Sequence, residues 1–377
     1  MELKVLQPHQ LDELIQSLAL AEFQVVGPTE KDGVISYEAI NSADQLPVGI
    51  IDHQSPGKYA LQNIHSSRFF GYTVSPYSWK KYLNPPVQSL FKVNQNGKEI
   101  SFEVANDEHR YAFLGVRGCE LNAIKIQDNI FLNGNYTDPN YKRRRKQSMI
   151  IAVECFNTCE TCFCDSVGFG PEIPDGADIV LAEIFEDKDH YFLARSETEK
   201  GQDIFNRLSL KDADDGQALI KDAQLERVRT QLKRHVQTSG LKSNLMANPD
   251  HPRWDEVAER CLACANCTMV CPTCFCSTVE DINDLDSTTD RQMRWDSCFT
   301  SEFTYIHGGN TRESVKSRYR QWLTHKFASW QDQFDSLGCV GCGRCITWCP
   351  PGIDITEELE ALSTPPDKYK KGEKPHV

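Results

Sequence analysis

Leu11, Leu14, Ile15 and Leu18 recur at the spacing of a helix that buries one stripe, which predicts a helix from about Pro8 to Leu20. Alternating or apolar runs at Phe23–Val26, Gly33–Ala39 and Phe102–Ala105, bounded by Gly, Pro and Asn, read as strands. The stretch from Phe69 to Pro86, rich in proline and aromatics, reads as a long connection, a kind of segment that is often a functional surface. Tyr111–Val116 is a short apolar run, Glu120–Phe131 carries helical spacing through Ile124, Ile126 and Ile130, and Met149–Val153 is apolar again. That order is a βαβ crossover, which implies parallel strands joined right-handedly. Two further strands are expected between Asp178 and Ser196 and one or two helices from Gly216 to Thr238. Proline-marked chain from Gly240 to His251 reads as a boundary. Beyond it the pattern predicts helices at Trp254–Arg260, at about Arg312–Phe334 with Trp322, Phe327 and Trp330 as apolar markers, and at Gly352–Leu362.

Composition narrows this picture. A chain of 377 residues is long enough for two or three domains with their own cores. A net charge of -13 argues against nucleic acid or an anionic membrane as the main partner. No apolar run approaches the roughly 20 residues that span a bilayer, and Met1–Gln10 lacks the charged and apolar regions of a signal peptide. A cytoplasmic location without direct membrane insertion is therefore expected. The basic run Lys142–Lys146 reads as a solvated loop, with an acidic partner surface or a nucleotide phosphate as the sharper alternatives. The 16 cysteines change the picture most, because they cluster at metal-ligand spacing, which suits a reducing compartment.

Two runs share one form: Cys261, Cys264, Cys267, Cys271-Pro272 and Cys339, Cys342, Cys345, Cys349-Pro350. Both read CxxCxxCxxxCP, the ferredoxin spacing for 4Fe-4S clusters. Two-residue gaps let three thiolates wrap three corners of one cubane while the loop amides face its sulfides, and the proline ends the loop. After three residues of helix the fourth cysteine points away, so in two-cluster ferredoxins it ligates the other cluster. The rule assigns Cys261, Cys264, Cys267 and Cys349 to one cluster, and Cys339, Cys342, Cys345 and Cys271 to a second. Zinc knots favour paired CxxC and would strand a thiolate in each run, and disulfide frameworks suit short secreted chains.

Cys119 opens the crossover helix and Cys155 follows the next strand, so both lie beyond the carboxyl ends of adjacent strands, where open α/β sheets place ligands. Cys159, Cys162 and Cys164 come close by. A third 4Fe-4S cluster on Cys119, Cys155, Cys162 and Cys164 is expected, with Cys159 spare; buried free thiols or a redox pair at Cys162 and Cys164 are the alternatives. Cys274, Cys276 and Cys298 stay unassigned, although Thr273-Cys274-Phe275-Cys276 echoes Thr161-Cys162-Phe163-Cys164. No dinucleotide fingerprint, phosphate loop, HExxH or nucleophile elbow occurs. The chain is thus read as an electron conductor without a flavin or nicotinamide site or a catalytic residue of its own. The expected fold is α+β or α/β. An N-terminal mixed α/β domain with a cysteine-rich rim (1–245) precedes a dicluster ferredoxin-like domain (252–362) that has a helical insertion (277–338) and a mobile tail (363–377).

The chain resembles the beta, electron-transfer subunits of cytoplasmic nickel-iron sulfhydrogenases and the related A subunit of anaerobic sulfite reductases. The likeness rests on Gly115-Val116-Arg117-Gly118-Cys119, Thr161–Cys164, the run Arg260–Cys276, Trp295-Asp296-Ser297-Cys298, Ile306-His307-Gly308-Gly309 and Cys339–Pro350. Where this chain has Gly118, members of that family tend to have proline. The resemblance implies an iron-sulfur relay with an FAD- and NAD(P)H-binding reductase subunit as one partner. On the other side it implies the small and large subunits of a hydrogenase, or a sulfite-reducing subunit. A sulfur- or polysulfide-reducing role is a further alternative.

Overall fold

The computed structural model describes residues 3–104, 109–186, 189–284 and 288–372. An eight-stranded mixed sheet organises the first half, in the order Lys211–Asp212, Lys4–Leu6, Asp189–Ser196, Ile179–Glu186, Met149–Val153, Tyr111–Val116, Gln24–Lys31, Val34–Ala39. Its four central strands are parallel, and the outer pairings are antiparallel. Alternation explains why these strands are apolar throughout. Ala112, Leu114, Met149, Ile151 and Val153 join one core with Leu11, Leu14, Ile15 and Leu18 of the Gln10–Leu20 helix. Phe113, Val116, Ile150 and Ala152 face the opposite core with Leu121 and Ile124 of the Gly118–Phe131 helix. Both faces of a sheet layered this way are dry. The expected crossover from Tyr111 to Val153 is present, and its two strands pair in parallel.

The basic run forms the helix Pro139–Gln147 rather than a loop, capped by Asp138, whose side chain accepts from the amides of Asn140 and Tyr141. Arg144 is buried, its Nη1 donating to Gln88 Oε1 at 2.6 Å, and Arg145 pairs with Asp128. The stretch read as a boundary contains the helix Leu241–Ala247, whose Leu241 and Leu245 are buried in the core of the cysteine-rich second half. The insertion is only partly helical. Its hairpin Ser277–Asn283 and Thr288–Trp295 pairs with Val87–Asn96 of the first half, making a four-stranded antiparallel sheet that also holds Glu99–Glu103. Ala105, at the end of the strand expected from Phe102, lies outside the described residues. The last helix, Ile355–Ser363, is followed by a segment in which the Tyr369 hydroxyl donates to Glu256 at 2.9 Å. Residues 373–377 of the expected tail lie outside the described residues.

Candidate functional site

The two ferredoxin-type loops are built alike. Ala263 and Ala265 of the first have positive φ, as do Gly341 and Gly343 at the corresponding places of the second. Each turn aims an amide at its own first cysteine: Ala263 N–H and Gly341 N–H both lie 3.4 Å from the sulfurs of Cys261 and Cys339. Each loop then enters one turn of helix, Asn266–Met269 and Arg344–Thr347. Alanine in left-handed backbone is uncommon and is tolerated where surrounding structure enforces it.

Cys261, Cys264 and Cys267 line one pocket together with Cys349 of the other run, with Cys345 at its wall. The remaining wall is apolar and aromatic, including Phe299, Tyr319, Trp322 and Ile353. The Tyr319 hydroxyl and the Trp322 indole nitrogen are buried without a partner among the described residues. Buried donors rarely stay unpaired, and an anionic, sulfide-bearing guest in this cavity would satisfy them. Cys271, from the first run, lies close enough to Cys339, Cys342 and Cys345 for its charge to push each thiol up, after burial itself. Burial, with the charges of neighbouring cysteines, carries Cys267 well above the ordinary thiol range and holds Cys339 at about 12. Such thiols become thiolates only as metal displaces their protons.

At the sheet rim, Cys155, Cys159, Cys162 and Cys164 form one group, and the sulfurs of Cys159 and Cys162 are 2.8 Å apart. The hydrogen bond from Cys162 brings the Cys159 thiol down to about 7, against its burial. Cys119 packs between this group and the second loop, in an apolar cluster with Cys164, Cys342, Val74, Ile126 and Trp330. Cys159, expected to be the spare cysteine, lies inside the group beside Cys162, and Cys119 borders two cysteine sets. Arg117 fixes this rim: its guanidinium donates to the carbonyls of Phe70, Tyr72 and Glu154 at 3.0, 2.6 and 3.1 Å. The long connection around Phe69 thus supplies the backbone acceptors that hold the Cys119 turn. Sequence reasoning did not single out Arg117, Lys80, Lys326 or Arg344 as parts of the site, although Arg117 and Arg344 stand inside the cysteine motifs.

The two halves meet here. Phe163 N–H donates to Gly341 O at 2.8 Å. A Cβ on Gly341 would lie 2.6 Å from the Cys164 backbone, and one on Gly343 would lie 2.4 Å from Thr161 O. Arg344, fully buried, pairs with Glu120 at 2.6 Å and donates to Ser75 O at 2.6 Å. Glu120 also receives the Tyr37 hydroxyl and the Trp79 indole, both at 3.1 Å.

Paired loops of this build define a dicluster iron-sulfur protein, and residues 260–353 match the 4Fe-4S dicluster domain family. Over 350 residues, 90% of this chain and 92% of the other, the chain is 31% identical to sulfhydrogenase 2 subunit beta of Pyrococcus furiosus. The chain belongs to the sulfhydrogenase beta-subunit family. No solved structure matches it. Among the described residues no helix is long and apolar enough to cross a membrane.

Proposed function

We propose that this chain is the iron-sulfur relay of a hydrogenase complex, passing electrons between an FAD- and NAD(P)H-binding reductase subunit and the hydrogenase small and large subunits. The observation that carries the reading is the crossed placement of the fourth cysteines, with Cys349 on the cavity of the first run and Cys271 beside the second. Cys261, Cys264, Cys267 and Cys349 would hold one cluster, Cys339, Cys342, Cys345 and Cys271 the next, and Cys119, Cys155, Cys162 and Cys164 a third. When bound, such clusters supply one-electron exchange at potentials set by charge, burial and hydrogen bonds to sulfur. The chain's own residues do the tuning. The amides of Ala263 and Gly341 donate to thiolate sulfur, Arg344 places positive charge beside Cys342 and Cys119, and aromatic side chains wall the first pocket. Cys119 shares an apolar cluster with Cys164 and Cys342, which supports a third set next to the second.

The reading predicts about twelve irons per chain bound by the assigned cysteines in anaerobically purified protein. In the complex, Cys342→Ser would stop electron flow between reductase and hydrogenase while each half-reaction with artificial dyes survives. Coupled flow that is unchanged in that variant would take the second cluster off the path. Co-purification with a siroheme subunit in place of nickel-iron subunits would favour the sulfite reductase alternative.

A further inference from the structure

The chain writes one ten-residue cysteine pattern twice. Cys155, Cys159, Cys162 and Cys164 are spaced as Cys267, Cys271, Cys274 and Cys276, and both end in Thr-Cys-Phe-Cys. The geometry repeats with the spacing. Thr161 Oγ1 lies 3.3 Å from Cys159 Sγ, and Thr273 Oγ1 lies 3.1 Å from Cys271 Sγ. In each copy the second cysteine is hydrogen-bonded to the third, Cys159 to Cys162 and Cys271 to Cys274. Each copy also has a fifth cysteine three residues past the end of a strand: Cys119 after Tyr111–Val116, and Cys298 after Thr288–Trp295. Cys119 packs beside Cys164, and Cys298 is hydrogen-bonded to Cys276, the matching residue.

This equivalence assigns the leftover thiols, and it rests on the ligand sets given above. Cys267 and Cys271, the counterparts of Cys155 and Cys159, serve the two ferredoxin clusters. What remains, Cys274, Cys276 and Cys298, corresponds to Cys162, Cys164 and Cys119, three of the four residues assigned to the rim cluster. We propose that Cys274, Cys276 and Cys298 hold a fourth iron-sulfur cluster through three thiolates, leaving one iron to a ligand that is not cysteine.

Charge gives an independent reason. Lys80 and Lys326 are 5% and 3% exposed, and neither pairs with a carboxylate among the described residues. Buried ammonium groups without an anion are costly. Both point here: Lys80 Nζ lies 3.2 Å from Cys274 O and over the Trp295 ring at 3.6 Å. Lys326 Nζ lies 3.4 Å from Cys271 Sγ and 3.7 Å from Cys274 Sγ. Lys326 stands in the π-helical turn His325–Ser329, which interrupts the helix expected from Arg312 to Phe334. Such turns gather at functional sites, and this one delivers an ammonium group to sulfur. Each thiol gives its proton to solvent as iron binds, and the two lysines offset the charge that results.

The test compares the full chain, reconstituted without air from ferrous iron and sulfide, with Cys276→Ala and Cys298→Ala. The wild type should bind about sixteen irons and each variant about four fewer, with the reduced EPR signals of the ferredoxin pair unchanged. Brief ferricyanide treatment should release the iron that has no cysteine and give a three-iron EPR signal in the wild type but in neither variant. Lys80→Met, which keeps every thiol, should move the midpoint of that signal to lower potential. Equal iron in wild type and variants, or a three-iron signal that survives Cys276→Ala, overturns the fourth cluster. Either result leaves the relay standing, because neither bears on electron flow through Cys342.

Discussion

At the rim, the choice of ligand turns on two sulfur atoms. Cys159 and Cys162 are 2.8 Å apart. Five cysteines for four ligand places leave one spare, and neighbouring groups separate the roles of this pair. Cys159 accepts from Cys162 and from Thr161, which suits a residue that hydrogen-bonds beside the cluster. Its counterpart Cys271 is assigned to another cysteine set, whereas none of the other assigned sets includes Cys159. The expected outcome is that Cys159→Ser keeps all three assigned clusters and that Cys162→Ser loses about four irons, read by iron analysis and EPR. The opposite pattern would exchange the two assignments.

Among the elements, the two loops differ in one respect that stability can read. Gly341 and Gly343 carry left-handed backbone at places where Ala263 and Ala265 do the same. Alanine is not tolerated in the second loop, because the Thr161–Cys164 chain lies against it. Gly341→Ala should cost about 1 kcal/mol for the backbone and about 2 kcal/mol more for the displaced neighbour. Ala263→Gly, in the matching turn, should recover about 1 kcal/mol by relieving the same backbone cost, so the pair of variants isolates the packing. How much of this was legible follows the range of the forces. Tyr111–Val116 and Met149–Val153 are apolar on both faces, so pattern alone marks them. Ligand loops are local, so spacing identifies their cysteines. Ser277–Asn283 reads Ser-Thr-Val-Glu-Asp-Ile-Asn, charged or polar at all but Val279 and Ile282, and is part of a sheet whose other hairpin lies far back in the chain, at Val87–Glu103. Nothing local encodes such pairing. The closeness of Cys119 to Cys342 is likewise tertiary, since it depends on two loops from opposite halves meeting. The helix at the basic run was legible and overlooked: Asp138-Pro139 is a cap followed by proline at the first position.

For the molecule as a whole, the question is what holds the sheet and the cysteine loops together. The sheet has its cores on either face, and the cysteine loops have another, built around Trp254, Leu323, Phe327 and Ile346. Between them runs the Arg344–Glu120 pair, with side chains 0% and 1% exposed. Burial opposes the charge on Arg344, but Glu120 and Cys342 outweigh it and hold the guanidinium ionised. Buried pairs of this kind contribute little net stability when intact, yet losing one partner costs about 3–5 kcal/mol, because a desolvated charge is left alone. Glu120→Gln should therefore destabilise the reconstituted protein by about 3 kcal/mol, measured by denaturant midpoint. It should also split unfolding into two steps, with the visible absorption of the clusters lost at a different denaturant concentration from the helix signal. Arg344→Gln removes the positive charge beside Cys342 instead. It should move the midpoint potential of the second cluster downward as well, since a cation there favours the reduced, more negative state. A potential unmoved by Arg344→Gln would mean that the pair joins the halves without tuning the relay. A single unfolding step in Glu120→Gln would mean that the Phe163–Gly341 backbone contact and the shared four-stranded sheet suffice to hold the halves together.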